Sequence, residues 1–178
     1  MRNIQNESGR TMLEMLGVLA IMGVIMYGAI AGISFGVESF KINATFNLLE
    51  ELSQGVIDLY SWSPTYNSSG AEIENVVCQN DVVECNSGYK SASGGEKIKT
   101  QLTNSTITIG STGDRFVIYH HKLSNLACSR LSNMTYSNLC VRFEDENKKC
   151  GIDHLPAGFQ HTNCDEADGN CVLVLISR

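Results

Sequence analysis

Gly9-Arg-Thr-Met-Leu-Glu-Met-Leu-Gly-Val-Leu-Ala-Ile-Met-Gly-Val-Ile25 is the stretch on which the reading of this 178-residue chain turns. One carboxylate, Glu14, opens it, and the 23 residues that follow, Met15 to Val37, carry no charge. A run of that length suits a helix that crosses a bilayer, which needs ~20 apolar residues. A charge at the head of such a helix costs up to ~3 kcal/mol on insertion scales unless it is paired, so ionisable groups at this depth read as functional. What pairs with Glu14 is therefore the central question.

The flanks of the run orient it. Arg2 and Arg10 precede it and Glu38 follows it, which by the positive-inside tendency leaves the N-terminus cytoplasmic. All seven cysteines, Cys78, Cys85, Cys128, Cys140, Cys150, Cys164 and Cys171, lie beyond it. That density in a small domain suits an oxidising compartment such as the bacterial periplasm, and the odd number leaves one thiol over or paired between chains. Residues 1–9 do not make an ordinary secretory signal: the apolar stretch exceeds the usual core of ~7–15 residues, and no small-x-small cleavage site follows it. Cleavage before the stretch fits better, and the helix is then retained. A formal charge of −6 excludes a general nucleic-acid binder, which needs a basic face. Lys97/Lys99 and Lys148/Lys149 read as solvated surface.

Downstream, residues 10–36 form the buried half of a helix and 37–60 its amphipathic half. Phe40, Ile42, Phe46, Leu49, Leu52, Val56, Ile57 and Tyr60 recur there near helical spacing among Glu50, Glu51 and Asp58. A helix from 10 to 60 spans roughly 75 Å at ~1.5 Å per residue, well beyond a membrane's ~30 Å. Pro64 ends it. Residues 61–105, rich in Ser, Asn and Gly, read as a long surface connection. Strands are expected at Thr106–Ile109, Arg115–His120, Leu139–Phe143 and Val172–Ile176, with Gly110–Asp114 turning a hairpin and a short helical pattern over Lys122–Leu131. The fold class is α+β. Gly28, Gly32 and Gly36 form a small-xxx-small series that permits close helix packing, against the plainer reading that glycine is common in membrane helices.

The N-terminal run resembles the signature of type IV pilins and pseudopilins: a Gly, an aromatic or Met, then Thr-Leu-Ile-Glu, then an apolar helix with small residues at set places. Here Gly9 stands at the cleavage position, Thr11, Met12 and Leu13 follow, Glu14 falls five residues after the Gly, and Ala20 and Gly23 fall where the family has them. The resemblance implies a leader of residues 1–9, cut after Gly9 by a prepilin peptidase that also methylates the new amino terminus of Arg10. It implies a pilin fold, in which the long helix packs on an antiparallel sheet with a disulfide-bracketed C-terminal segment, the head domain being 61–178. A Cys in a short helix after the first hairpin, as Cys128 would be, resembles type IVb members. The family's subunits pass from the inner membrane, through its assembly machinery, into a homopolymeric surface filament that serves such roles as adhesion. Glu14 of one subunit would then meet the charged α-amino group of the next, whose pKa lies near ~8. Such a pair at ~4 Å attracts by ~4 kcal/mol at an effective dielectric of ~20 before desolvation. Position 10 is Arg where the family prefers Phe or Met, so Arg10 and Glu14, at i,i+4, offer a second pairing within one helix.

Other chemistry reads weakly. Gly32-Ile-Ser-Phe-Gly36 matches G-x-S-x-G, but a nucleophile elbow belongs between a strand and a helix, and no catalytic residues are assigned. Cys150, His154, His161 and Cys164 are zinc-type ligands at a spacing that fits no common finger, so neither metal nor cofactor is expected. His120 and His121, neighbours on a strand, point to opposite faces. Asp165-Glu-Ala-Asp-Gly169 lacks the alternating oxygens of a calcium loop. Asn6, Asn43, Asn67, Asn104 and Asn133 head N-x-S/T triplets, as chance allows in an Asn- and Ser-rich chain. Proximity in the chain suggests Cys78–Cys85 and Cys128–Cys140. Cys150–Cys171 with Cys164 unpaired completes the set, and Cys150–Cys164 competes with it. The chain thus reads as a pilus subunit without enzymatic activity. The alternatives are a pseudopilin of a type II secretion or DNA-uptake machine, or a single-pass anchored domain that binds an extracellular ligand.

Overall fold

The computed structural model describes residues 7–63, 65, 66, 69–88, 97–142, 162 and 171–177. The chain divides into two compact units, Met1–Phe40 and Lys41–Arg178. Helix α1, Glu7–Tyr60, supplies all of the described structure in the first unit and the opening element of the second. The amphipathic half expected from the sequence thus belongs, from Lys41 onward, to the globular unit. There Ile42, Leu49, Leu52 and Val56 are fully buried, one stripe at helical spacing. Thr45 and Ser53 lie in the same stripe, their hydroxyls donating to the carbonyls of Lys41 and Glu50, each at 2.8 Å. After Tyr60 the chain turns, with Ser63 N donating to the Tyr60 carbonyl at 2.9 Å.

The connection expected over 61–105 instead contains a second helix, α2, Gly70–Gln79. Ile73, Val77 and Cys78 bury one face of it. Its polar flanks resemble a loop, and its N-cap, Ser69, makes no side-chain capping bond, so the local start signal is weak. Cys78 at its end is bonded to Cys85, with Cα atoms 5.8 Å apart, as proximity suggested. Beyond that bridge, Asn86 N donates to the Lys97 carbonyl and Lys99 N to that of Glu84, both at 2.9 Å.

Four antiparallel strands follow: β1 Thr106–Ser111, β2 Phe116–Leu123, β3 Leu139–Val141 and β4 Cys171–Ser177. Their order in the sheet is β1-β2-β4-β3, which puts the last strand of the chain between two earlier ones. β1 and β2 form the expected hairpin, closed by Thr112 N donating to the Arg115 carbonyl at 2.9 Å around Gly113 at φ +89°. Near the end of β2 the register slips between His120 and Leu123, and Lys122 takes φ +58°. One extra residue in a strand is a bulge; here it lets both His120 and Leu123 face the core. The helix expected over Lys122–Leu131 therefore starts later, as α3, Asn125–Ser132. Ser124 caps it by accepting from Ala127 N at 3.2 Å.

The sheet has two apolar faces. Ile107, Ile118, Leu139, Leu173 and Leu175 face the main core with α1, α2 and α3, whereas Val117, Val174 and Ile176 form a second cluster with Tyr119 and Val172 on the opposite face. A strand buried on both sides reads as a continuous apolar run, which is why Val172–Ile176 is apolar throughout. The outer edge at β1 is covered by α2: Glu74 Oε1 accepts from Ile109 N at 2.9 Å, and a Cβ built on Gly70 would stand 1.6 Å from the Ile109 carbonyl oxygen. Only glycine permits that approach. Gly70→Ala should destabilise the Lys41–Arg178 unit by about 1–3 kcal/mol, the usual cost of overpacking, whereas Gly28→Ala should leave the unit unchanged because an added methyl there meets nothing within 4 Å; chemical denaturation of both variants checks the contrast.

Candidate functional site

The first unit presents the largest apolar surface of the described residues. From Met12 to Val37 the large apolar side chains are exposed, among them Leu13 at 75%, Val24 at 75% and Tyr27 at 79%. An 18-residue window of this helix averages 2.2 in hydropathy with none of it buried, so α1 is long and apolar enough to cross a membrane. Monomeric soluble proteins rarely expose apolar patches beyond a few hundred Å², and larger ones mark sites of interaction with membrane or protein.

The glycines sharpen this. A Cβ added at Gly17, Gly23, Gly28, Gly32 or Gly36 meets nothing within 4 Å, whereas one at Gly55, in the second half of α1, would stand 2.0 Å from Val82 Cγ1. Gly55 is small because α1 packs there on its own chain. The five others have no such reason within the described residues, although each costs up to ~1 kcal/mol of helix propensity relative to Ala. Gly28, Gly32 and Gly36 thus lie where the sequence put them, in the exposed half of α1. Gly9 and Arg10 already belong to α1, and Glu14 is exposed at the head of the run.

Two other sequence candidates resolve into structure. Ser34, the serine of the G-x-S-x-G match, lies within α1 and donates its hydroxyl to the Ile30 carbonyl at 3.0 Å, a helical back-bond rather than a strand-to-helix elbow. His120 and His121 do point to opposite faces. His121 is half-buried and stacks on Tyr119, rings 6.0 Å apart and 19° from parallel, with Nε2 3.0 Å from Thr108 Oγ1. Beneath the same face the Tyr119 phenol is pushed up to about 12 by burial, partly offset by the Arg142 guanidinium. His120 is wholly buried with neither ring nitrogen hydrogen-bonded. Burial, with a smaller contribution from the neighbouring His121 charge, lowers its pKa to about 3.

The cysteines depart from expectation. Cys171 is a buried thiol whose Sγ donates to Asn125 Oδ1 at 2.9 Å, so it does not form the Cys150–Cys171 bridge. Cys150 and Cys164 lie outside the described residues, as do His154, His161, the Asp165–Gly169 turn and Lys148/Lys149. Among the described residues no group of three His, Cys, Asp or Glu side chains could hold a metal ion.

Lys97 is likewise not solvated surface. It is 5% exposed, its Nζ 3.5 Å from Glu74 Oε2 and 3.3 Å from the Ala71 carbonyl it donates to. Lys99 pairs with Glu84 on the outside. Charge and spacing alone gave no sign of this pair, because Glu74 becomes an interior acceptor only once α2 lies along β1. Comparison with protein-family models, curated proteins and solved structures finds no match to the chain. What α1 presents must therefore be read from its own chemistry: a charge-free apolar cylinder with gaps for close approach and a carboxylate at its head.

Two outcomes follow from the buried ionisable groups of the globular unit. Unfolded imidazole takes up a proton near pH ~6.5 and folded His120 only near about 3, so the unfolded state binds more protons between these values. Stability is then full above pH ~6.5 and falls by up to ~1.4 kcal/mol per unit as pH drops toward ~3; His120→Leu should flatten that limb in urea titrations. Lys97→Met leaves the Glu74 carboxylate buried without its cation and should cost about 3–5 kcal/mol, with much of the loss recovered when Glu74→Gln is added, as thermal unfolding of the two variants would show.

Proposed function

We propose that this chain is a precursor subunit of a type IV pilus or pilus-like filament. It is cut after Gly9, held in the inner membrane by the first half of α1 with its N-terminus cytoplasmic and its cysteine-bearing unit periplasmic, and then transferred into a fibre whose core is a bundle of these helices. The observation that carries this reading is the exposed, charge-free surface of α1 from Met15 to Val37. Such a surface leaves lipid only for an equally apolar environment, and a symmetric array of identical helices supplies one. Support comes from the Gly9–Glu14 signature, from glycines that no contact among the described residues explains, from the α+β architecture of the globular unit, and from a disulfide that suits an oxidising compartment. In this reading the protein binds and positions copies of itself and performs no chemistry; its partners are the peptidase, the inner-membrane assembly machinery and its own copies.

Sequencing the amino terminus of the membrane-extracted chain tests the first step: a start at Arg10 is expected, and a start at Met1 counts against the proposal. Replacing Gly9 with Leu should leave the precursor uncut. Glu14→Val should keep the subunit in the membrane fraction while lowering filament yield at least tenfold; a normal yield would remove Glu14 from assembly. An anchored binding domain would be indifferent to both changes.

A further inference from the structure

Between Met15 and Val37 only two side chains carry a hydroxyl or any other strong hydrogen-bonding group, Tyr27 and Ser34. Both lie exposed on the first half of α1, and they are complementary. The Ser34 hydroxyl donates to the Ile30 carbonyl at 3.0 Å, which engages its one proton and leaves its oxygen able to accept. Tyr27 is 79% exposed and makes no hydrogen bond among the described residues. Its own helix offers no acceptor, because the backbone carbonyls there are taken by the next turn. It also stands near the middle of the charge-free run, roughly 15 Å or more from either end at ~1.5 Å per residue, too deep for its hydroxyl to reach water by leaning along the helix. A hydroxyl kept from water without a partner is costly, and in an apolar surrounding such groups are satisfied across helix contacts.

Tyr27 and Ser34 are seven residues apart, two helical turns less about 20°, so donor and acceptor share one face. They are also ~10 Å apart along the axis and cannot meet within one helix. We propose that the Tyr27 hydroxyl of one copy donates to Ser34 Oγ of a second copy, and that this bond sets the stagger of neighbouring helices. It rests on the reading that copies bundle through α1. A lipid chain offers no acceptor at this depth, whereas a second copy brings one on a matching face.

Copies inserted in one membrane are parallel, so the donating copy is displaced toward its globular end by roughly 10 Å, and by up to one turn more because a tyrosine leans toward the helix N-terminus. The displacement has a direction. The donor's own Ser34 then lies ~20 Å beyond the acceptor's Tyr27 and is left to accept from a third copy. The contact is therefore heterologous, and with an axial shift it cannot close into a pair; its repetition is an open series. Glu14 stands about 140° around the helix from Tyr27, so whatever pairs with Glu14 approaches from another side.

The full-length chain carrying the photoreactive residue p-benzoylphenylalanine in place of Tyr27 tests the partner, irradiated in filaments, or in membrane vesicles if the wild type makes none. The adduct is expected to be a dimer of this chain whose linkage, mapped by mass spectrometry, falls within one helical turn of Ser34; the same probe in place of Ile25, about 160° away, should map elsewhere. Adducts to lipid alone, to another protein, or to a second copy far from Ser34 overturn the proposal. Tyr27→Phe and Ser34→Ala test the bond itself. Each should speed release of monomer from filaments in dilute detergent by about threefold or more, and the double variant should be no faster than the quicker single. Wild-type release from both single variants, or effects that multiply in the double, also overturn it. A wild type that shows no filament in electron micrographs counts against the pilus reading, whereas a linkage away from Ser34 counts against this contact.

Discussion

Twenty-three consecutive residues without a charge, Met15 to Val37, must be kept from water, and among the described residues nothing covers them. This constraint separates the two halves of one helix. From Met15 to Val37, α1 carries no charge on any side and its glycines stand open; from Lys41 it carries a single buried stripe, and its glycine at position 55 is fitted to Val82. A helix apolar all round needs an apolar surrounding, whereas one apolar along a stripe needs only a core. The same element is thus committed to two solvents, and the globular unit is built around the part that tolerates water.

Within that unit the sheet is secured by what covers it. The edge at β1 meets α2, where Glu74 takes the Ile109 N–H and Gly70 lets the helix approach its carbonyl. An exposed edge strand is a template for unwanted pairing, and here part of that edge is occupied by a carboxylate already held by Lys97. Aromatic contacts extend the packing from the helix: Phe46 lies 5.0 Å from Tyr136, and Tyr66 bridges Tyr60 and Phe116 at 5.5 and 5.2 Å between ring centres. Tyr136 donates its hydroxyl to the Leu131 carbonyl at 3.1 Å, so burial, which raises its pKa, leaves no orphaned phenol.

Much of this was legible from residue order alone, because the signals were local. The long helix showed in the absence of charge and then in the spacing of Ile42, Leu49, Leu52 and Val56; the hairpin showed in the turn residues 110–114; the opposite orientations of His120 and His121 followed from strand period. What escaped depended on partners distant in the chain. α2 is short, flanked by polar residues and uncapped by Ser69, and its helical form depends on Ile73 and Val77 reaching a core assembled from other elements. Lys97 reads as surface until Glu74 is placed beside it. Likewise Cys128 and Cys140 are close in sequence, yet the face each takes is set by α3 packing and by β3 pairing with a strand more than thirty residues further on. At the candidate site, the apolar run and its glycines were visible at once, whereas the absence, among the described residues, of any neighbour that would require those glycines is a fact of three dimensions.

The place of β4 bears on when the globular unit can fold. β4 lies between β2 and β3, so β3 has no neighbour in the sheet until β4 has been made. A polypeptide emerging N-terminus first has at most the β1–β2 hairpin to offer, and an isolated two-stranded ribbon is marginal in water. The four-stranded sheet therefore closes around a strand made long after its hairpin, and the hairpin alone cannot hold the unit folded in the meantime.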